Sequence, residues 1–323
     1  MNYLRLLILI LLVPAGASKA QELFIQTEPA STMPGGVTGI RAITQVYREP
    51  GNYIRGMTAL RIMHGVTPKL TVMLTATASN HHSKELPPRF PDHNTPQIGV
   101  GLPWRFNGLN LYARYRIYSN DGPKTHFRIA AYGTASWMDV AHDEGEPDLM
   151  DDTKGLGGGI ITTWLRKHFA LSTTVGGIVP SAYKGRVPDI IPGLPSIPAH
   201  VRYGNAVTYS LSAGYLLLPR TYKGYGQTNI NLYAELLGKS YGAGKVFLEN
   251  IGSGSAYQIS GPALQVFEAH TYAEFHPGIQ AIFGSNLRID LSAGFPLLSR
   301  SYARFYPIYT VSVQRYFFGR DKR

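Results

Sequence analysis

The sequence predicts an all-β fold, a closed antiparallel transmembrane β-barrel of about twelve strands, and three observations carry that expectation. Segments of roughly ten residues alternate apolar and polar side chains. The connections between them alternate short and long. The chain opens on an export-type leader and then offers no stretch apolar enough to span a bilayer as a helix.

The leader comes first. Residues 1–20 carry a basic residue, Arg5, then the apolar run Leu6–Val13, then the small-residue end Ser18-Lys19-Ala20 before Gln21. That order predicts a secretory signal cleaved after Ala20, leaving residues 21–323 as one barrel domain. The apolar run is too short for a spanning helix, which needs about 20 residues. With no Cys, there is no lipid-modified cysteine, disulfide or thiolate site to consider. Loss of Arg5 and Lys19 with the leader would leave 29 basic and 20 acidic residues, a net charge of +9. Abundant Gly (35) and Tyr (21) with only 16% charged residues suit an exported β protein, whether a membrane barrel, a sandwich or a propeller.

Twelve strands are expected, in chain order, at about 36–47, 53–64, 68–80, 108–119, 125–137, 155–166, 169–179, 203–216, 226–238, 270–283, 287–296 and 303–318. The fourth is the clearest. In GLNLYARYRIYS (108–119), Leu109, Leu111, Ala113, Tyr115 and Ile117 share one face, and Asn110, Tyr112, Arg114, Arg116 and Tyr118 the other. The fifth repeats the pattern, with Phe127, Ile129, Ala131, Gly133, Ala135 and Trp137 opposite His126, Arg128, Tyr132, Thr134 and Ser136. In the later strands Ile230, Leu232, Ala234 and Leu236, or Leu287, Ile289, Leu291 and Ala293, point outward. Asn231, Glu235, Glu274, His276, Gln280, Arg288 and Asp290 point inward. Lys or Arg on the lipid face would cost roughly 2–4 kcal/mol at mid-depth, so the charges belong inside. Pro277 cannot donate to a ladder and predicts a bulge or kink.

The connections separate barrel from sandwich. Tight turns follow strands 2, 4, 6 and 10: Gly65–Thr67, Asn120-Asp121-Gly122-Pro123, Lys167-His168 and Gly284-Ser285-Asn286. Loops of 17–31 residues follow strands 3, 5, 7 and 9. Short turns on one rim and long loops on the other are the habit of an outer-membrane barrel, with the N-terminus and tight turns periplasmic. Leu217–Tyr225 is long for such a turn. Residues 95–104 and 257–268 could add two strands and make fourteen; twelve keeps the parity.

Three stretches carry a resemblance: LYARYRIYSNDGPKTHFRIAAYG (111–133), GLGGGIITTWLRKHFALSTTVGGIVP (155–180) and HPGIQAIFGSNLRIDLSAGFPLLSRSYARFYPIYTVSVQRYFF (276–318). Together they resemble the outer-membrane family named for the meta-pathway of phenol degradation, whose members are described as transporters. The resemblance implies a transporter-like barrel in the bacterial outer membrane, serving apolar or aromatic compounds, and brings no catalytic motif. The barrel-assembly signal ordinarily ends on a terminal aromatic; here Gly-Arg-Asp-Lys-Arg follows Phe318, and Tyr316-Phe317-Phe318 can still close the barrel.

Candidate site residues follow from the inward faces. Arg41, Arg61, Arg114, Arg116, Arg128 and Arg288 supply positive charge, and Glu235, Glu274 and Asp290 negative. They read either as a charged constriction that selects a permeant or as an ion-pair network that holds the wall. Tyr112, Tyr132, Tyr233 and Tyr272 should help fill a narrow lumen. The loop Met138–Lys154, with Asp139, Asp143, Glu144, Glu146, Asp148, Asp151 and Asp152, reads as a solvated extracellular loop and lacks Ca²⁺-loop spacing. His81, His82 and His93 read as loop residues rather than metal ligands. Pro188–Pro198, with little charge, could lie over a pore mouth.

No cofactor is called for, and enzyme chemistry is not expected. Ser172, Ser210, Ser212, Ser292 and Ser312 read as small lumen residues without a histidine at strand-neighbour spacing. The scattered basic residues make no nucleic-acid stripe. The expected partners are the lipid bilayer and a small-molecule permeant; the oligomeric state is open. The functional expectation is a passive transporter or channel for small apolar or aromatic molecules. The alternative is a structural or surface-binding barrel whose loops (81–107, 138–154, 180–202, 239–269) carry recognition.

Overall fold

The computed structural model describes residues 23–49, 52–81, 102–138, 140, 145–187, 197–221, 226–248, 257–259, 268–299 and 305–318. The expected leader, His82, His93 and most of Pro188–Pro198 lie outside these residues.

Sixteen strands run in order: β1 (Thr38–Arg48), β2 (Ile54–Thr67), β3 (Leu70–Ser79), β4 (Arg105–Asp121), β5 (Thr125–Ser136), β6 (Gly155–Arg166), β7 (Phe169–Pro180), β8 (Tyr183–Val187), β9 (Ile197–Arg202), β10 (Ala206–Leu218), β11 (Asn229–Tyr241), β12 (Lys245–Leu248), β13 (Tyr257–Ile259), β14 (His270–Phe283), β15 (Leu287–Leu298) and β16 (Ile308–Phe317). Twelve of them close a barrel, β1-β16-β15-β14-β11-β10-β7-β6-β5-β4-β3-β2. Every neighbouring pair is antiparallel. The seam runs from Thr38 opposite Phe317 to Val46 opposite Tyr309, so no barrel edge is left unpaired, as a hydrocarbon environment demands.

The alternation expected from the sequence is the alternation found. Arg41, Arg114, Glu235, Glu274, Arg288 and Asp290 are buried inside, while Leu60, Leu111, Val175, Leu232, Leu291 and Val311 are exposed outside. Exposed aromatics ring both ends of this apolar band. Trp104, Phe106 and Trp137 stand toward the long loops, and Tyr115, Phe127, Phe169 and Tyr215 toward the tight turns. Such girdles belong at membrane–water interfaces. Lys167 and Ser285 adopt positive φ (53° and 59°) in two of the tight turns, as close hairpins require.

The structure keeps twelve barrel strands rather than fourteen and departs from the expected pattern within two of them. Of the stretch 257–268, Tyr257–Ile259 forms β13 of a separate four-stranded sheet ordered β13-β12-β9-β8, outside the barrel. The register of β4 on β5 slips between Arg116 and Tyr118. That bulge puts Tyr118, expected inside, on the outer surface, edge-on to Phe127 at 6.3 Å; one extra residue inverts the alternation beyond it. Pro277 keeps its register against Ala234. The bulge sits instead between Ala273 and Glu274, whose partners are Leu298 and Pro296. Residues 102–104 form no strand, and 95–101 are not described.

Some side chains brace the wall from within. The Tyr132 ring lies flat over β6 and β7, so close that a Cβ on Gly176 would meet its hydroxyl at 2.0 Å. Only glycine admits that approach.

Candidate functional site

The lumen is filled by a part of the chain for which the sequence pattern had no place. Residues 23–37, ahead of β1, run inside the barrel with Phe24, Ile25, Ala30 and Met33 buried. Near the tight-turn rim the Met33 amide donates to Thr71 of β3 at 2.8 Å, and Thr32 donates to the Pro68 carbonyl at 2.7 Å. The Ala30 amide donates to Thr163 of β6 at 2.8 Å. At its apex the segment bends. There the amides of Ile25, Gln26 and Thr27, with the Thr27 hydroxyl, all donate to the Glu235 carboxylate, between 2.7 and 3.3 Å. The chain then returns toward the tight-turn rim. Arg288 donates to the Phe24 carbonyl at 2.6 Å, and Phe24 and Ile25 pack on Ala170 and Tyr233. A segment with no strand partner must satisfy its backbone groups on side chains, and it does.

Glu28 centres this plug. Arg61 reaches its carboxylate at 2.6 Å, Arg114 at 2.9 Å and Arg41 at 4.0 Å. Burial alone would raise this carboxyl, but the three guanidiniums outweigh it and hold it below the usual carboxylate range. Arg41 also donates to Ser312 at 2.9 Å and to the Ile25 carbonyl at 2.9 Å. Three of the expected lumen arginines therefore converge on one acid that alternation could not find, because Glu28 is in no strand. Its signal was electrostatic: β1, β2 and β4 send Arg41, Arg61 and Arg114 inward, and the one carboxylate on these strands, Asp121 at the end of β4, pairs with Arg128 instead.

The other candidates fall into separate places. Asp290 pairs with Arg288 at 2.7 Å and accepts from Gln280 at 2.8 Å. Glu274 accepts from Tyr306 and pairs with His276 at 2.8 Å. Arg116 and Arg128 stand apart at the tight-turn rim. Arg116 donates to the Pro68 carbonyl at 3.1 Å, and Arg128 bonds Asp121 at 3.0 Å and Ser31 at 3.0 Å.

At the opposite end the acidic loop turns inward. The sequence reading made it a solvated loop, yet Glu146, Asp151 and Asp152 are all buried. Glu146 meets Lys239 of β11 at 2.7 Å and accepts from the Tyr272 hydroxyl. Asp151 meets His81 at 2.6 Å and accepts from Asn107 at 2.9 Å. Carboxylates need not stay in water when a cation and donors of the wall await them. Asp139, Asp143 and Glu144 lie outside the described residues.

Between plug and inward loop lies a cavity of about 290 Å³. Glu28 and Thr27 line its plug side, Asp148 its loop side, and Tyr112, Tyr132, Tyr272 and Ile161 much of its wall. Tyr112 and Tyr132 stack at 5.3 Å with 17° between their planes. Among the described residues, no group of His, Asp and Glu is arranged to hold a metal ion. Ser172, Ser212 and Ser312 bond Thr163, Thr27 and Arg41. Ser299 lies 3.2 Å from His270 at the exposed loop end.

Among solved structures, an outer membrane channel from Pseudomonas putida F1 matches with a TM-score of 0.56 over 91% of this chain and 100% of its own, at 13% identity. The chain has the fold of a bacterial outer-membrane β-barrel. More distant likenesses are the toluene transporter TbuX of Ralstonia pickettii (TM-score 0.39, 11% identity, 88% of each chain) and the outer membrane phospholipase A of Escherichia coli (TM-score 0.33, 10% identity, 87% of this chain and 96% of that one). No protein-family model and no curated protein matches the sequence.

Proposed function

We propose that the chain is a passive outer-membrane channel for small apolar or aromatic molecules, held shut at rest by its own N-terminal segment. The observation that carries this reading is the cavity, with tyrosines in its wall, that lies between a plug on one side and an inward loop on the other. A chamber lined by aromatic rings and fixed polar groups suits a small molecule in passage. Two of the charges on its wall have partners of opposite sign, Glu28 in Arg61 and Arg114 and Lys239 in Glu146. In this reading residues 1–20 are the export signal, the plug faces the periplasm and the long loops face outward. Arg41, Arg61 and Arg114, with Glu235 and Arg288, act as plug anchors, while Arg116 and Arg128 guard the periplasmic rim. Ser172, Ser212 and Ser312 serve the wall and the plug through Thr163, Thr27 and Arg41.

The test compares uptake of uncharged aromatic solutes into liposomes bearing the intact mature chain or a chain lacking residues 23–34. Flux that rises on removing the plug, and exceeds that of charged solutes of equal size, supports the reading. No flux of any solute with the plug removed would end it.

A further inference from the structure

We propose that the four-stranded sheet beyond the barrel is a docking face for the phosphate groups of lipopolysaccharide. The sheet is amphipathic. Ala199 and Val201 of β9 and Val246 and Leu248 of β12 are buried on one face. On the other, alternation places Lys184, His200, Arg202 and Lys245, and Lys184, Arg202 and Lys245 are exposed. The four strands contain no acidic residue.

The register concentrates this charge. Lys245 stands directly opposite Arg202, and Lys184 opposite His200. Like charges directly opposed across two strands, as Lys245 and Arg202 are, repel and weaken the sheet; an anion between them removes the repulsion. Guanidinium and ammonium groups side by side suit a phosphate, which accepts several charge-assisted hydrogen bonds at once. Three carboxylates of the adjoining acidic loop, Glu146, Asp151 and Asp152, are buried and turned away from this face.

Position selects the occupant. Three residues separate Arg202 from the start of β10 at Ala206, and three separate Lys245 from the end of β11 at Tyr241. At about 3.3 Å per residue the cationic pair stands roughly 13 Å along the chain from the barrel strands. The exposed Val179 and Val207 mark the nearby end of the apolar band. The two necks are held together, since a Cβ on Gly204 would lie 2.1 Å from the Gly242 carbonyl oxygen. The pair therefore sits at headgroup height on the long-loop side. In an outer membrane that leaflet presents phosphorylated saccharide, whose phosphates are otherwise bridged by divalent cations. This inference rests on the outward orientation of the long loops proposed above, but not on transport.

The experiment titrates the purified full-length mature barrel in detergent with rough-type lipopolysaccharide, and with the same material after chemical dephosphorylation. Binding tighter by about tenfold for the phosphorylated form is expected. A variant carrying K184Q, R202Q and K245Q should lose that preference while retaining the gel shift of a folded barrel. K184Q alone, at the sheet edge, should lose part of it and guards against misfolding of the triple variant. Equal affinity for both forms, an unchanged preference in the triple variant, or equal displacement by phosphatidylglycerol vesicles would overturn the proposal. Conductance of the same samples, measured separately, reports on the channel reading and not on this one.

Discussion

In the proposed channel, Glu28 is the residue on which the closed state turns. Replacing it with Gln would leave Arg41, Arg61 and Arg114 facing one another without an acid, and breaking a buried charge cluster of this kind costs roughly 3–5 kcal/mol. Glu28→Gln should therefore expose the N-terminal segment to added protease and raise planar-bilayer conductance. Wild-type protection and conductance in that variant would make the cluster irrelevant to closure. The pH dependence follows from the sign of the shift. A carboxyl held low when anchored gives its full anchoring above the free value, about pH 4.3, and loses it only as pH falls further. Conductance controlled by Glu28 should thus be flat from pH 8 to 5 and rise only in stronger acid. A rise between pH 7 and 5 would assign the gate to another group. At this scale alternation made most of the lumen legible: Arg41, Arg61, Arg114, Arg288, Glu235, Glu274 and Asp290 were all placed inside by counting in twos. Glu28 escaped because a bent segment has no period to count, and Tyr118 because a one-residue bulge leaves no compositional mark.

In the proposed channel two elements obstruct the lumen, and they should separate experimentally. The plug is anchored on Glu235, Glu28 and Arg288; the loop 145–154 is anchored on Lys239, Tyr272, His81 and Asn107. Lys239→Met leaves Glu146 buried without its cation, so that loop should swing outward and become cleavable by protease added from its side. Conductance should stay low as long as residues 23–34 remain. If Lys239→Met alone opens the pore to ions, the plug is not the principal barrier. Neither element could be read from composition. The acidic loop looks like a solvated one until Lys239 and His81 are known to stand beside it, and those neighbours are more than fifty residues away in sequence.

For the molecule as a whole, strand number and parity were legible because two periods reinforce each other: side chains alternate within a strand and connection lengths alternate between strands. The short sheet above the rim was not, since β8, β9, β12 and β13 are each too brief to establish a period. A barrel whose last strand pairs with its first has no edge from which to unravel. Unheated samples in mild detergent should therefore migrate on a gel at a different position from boiled ones, and a single position for both would contradict closure.

That closure also imposes an order in time. Gln26 donates to Thr310, 284 residues away, and its neighbours in the plug bond Glu235, Gln280 and Arg288. Contacts so remote in sequence form late. A stretch made before every strand of the barrel can settle only after the final strand has arrived. During refolding into bilayers, protection of residues 23–34 should lag behind the appearance of β structure, and a chain ending before β16 should leave them permanently cleavable. The plug is then a built-in signal that assembly is finished, sealing the wall only once there is a wall to seal.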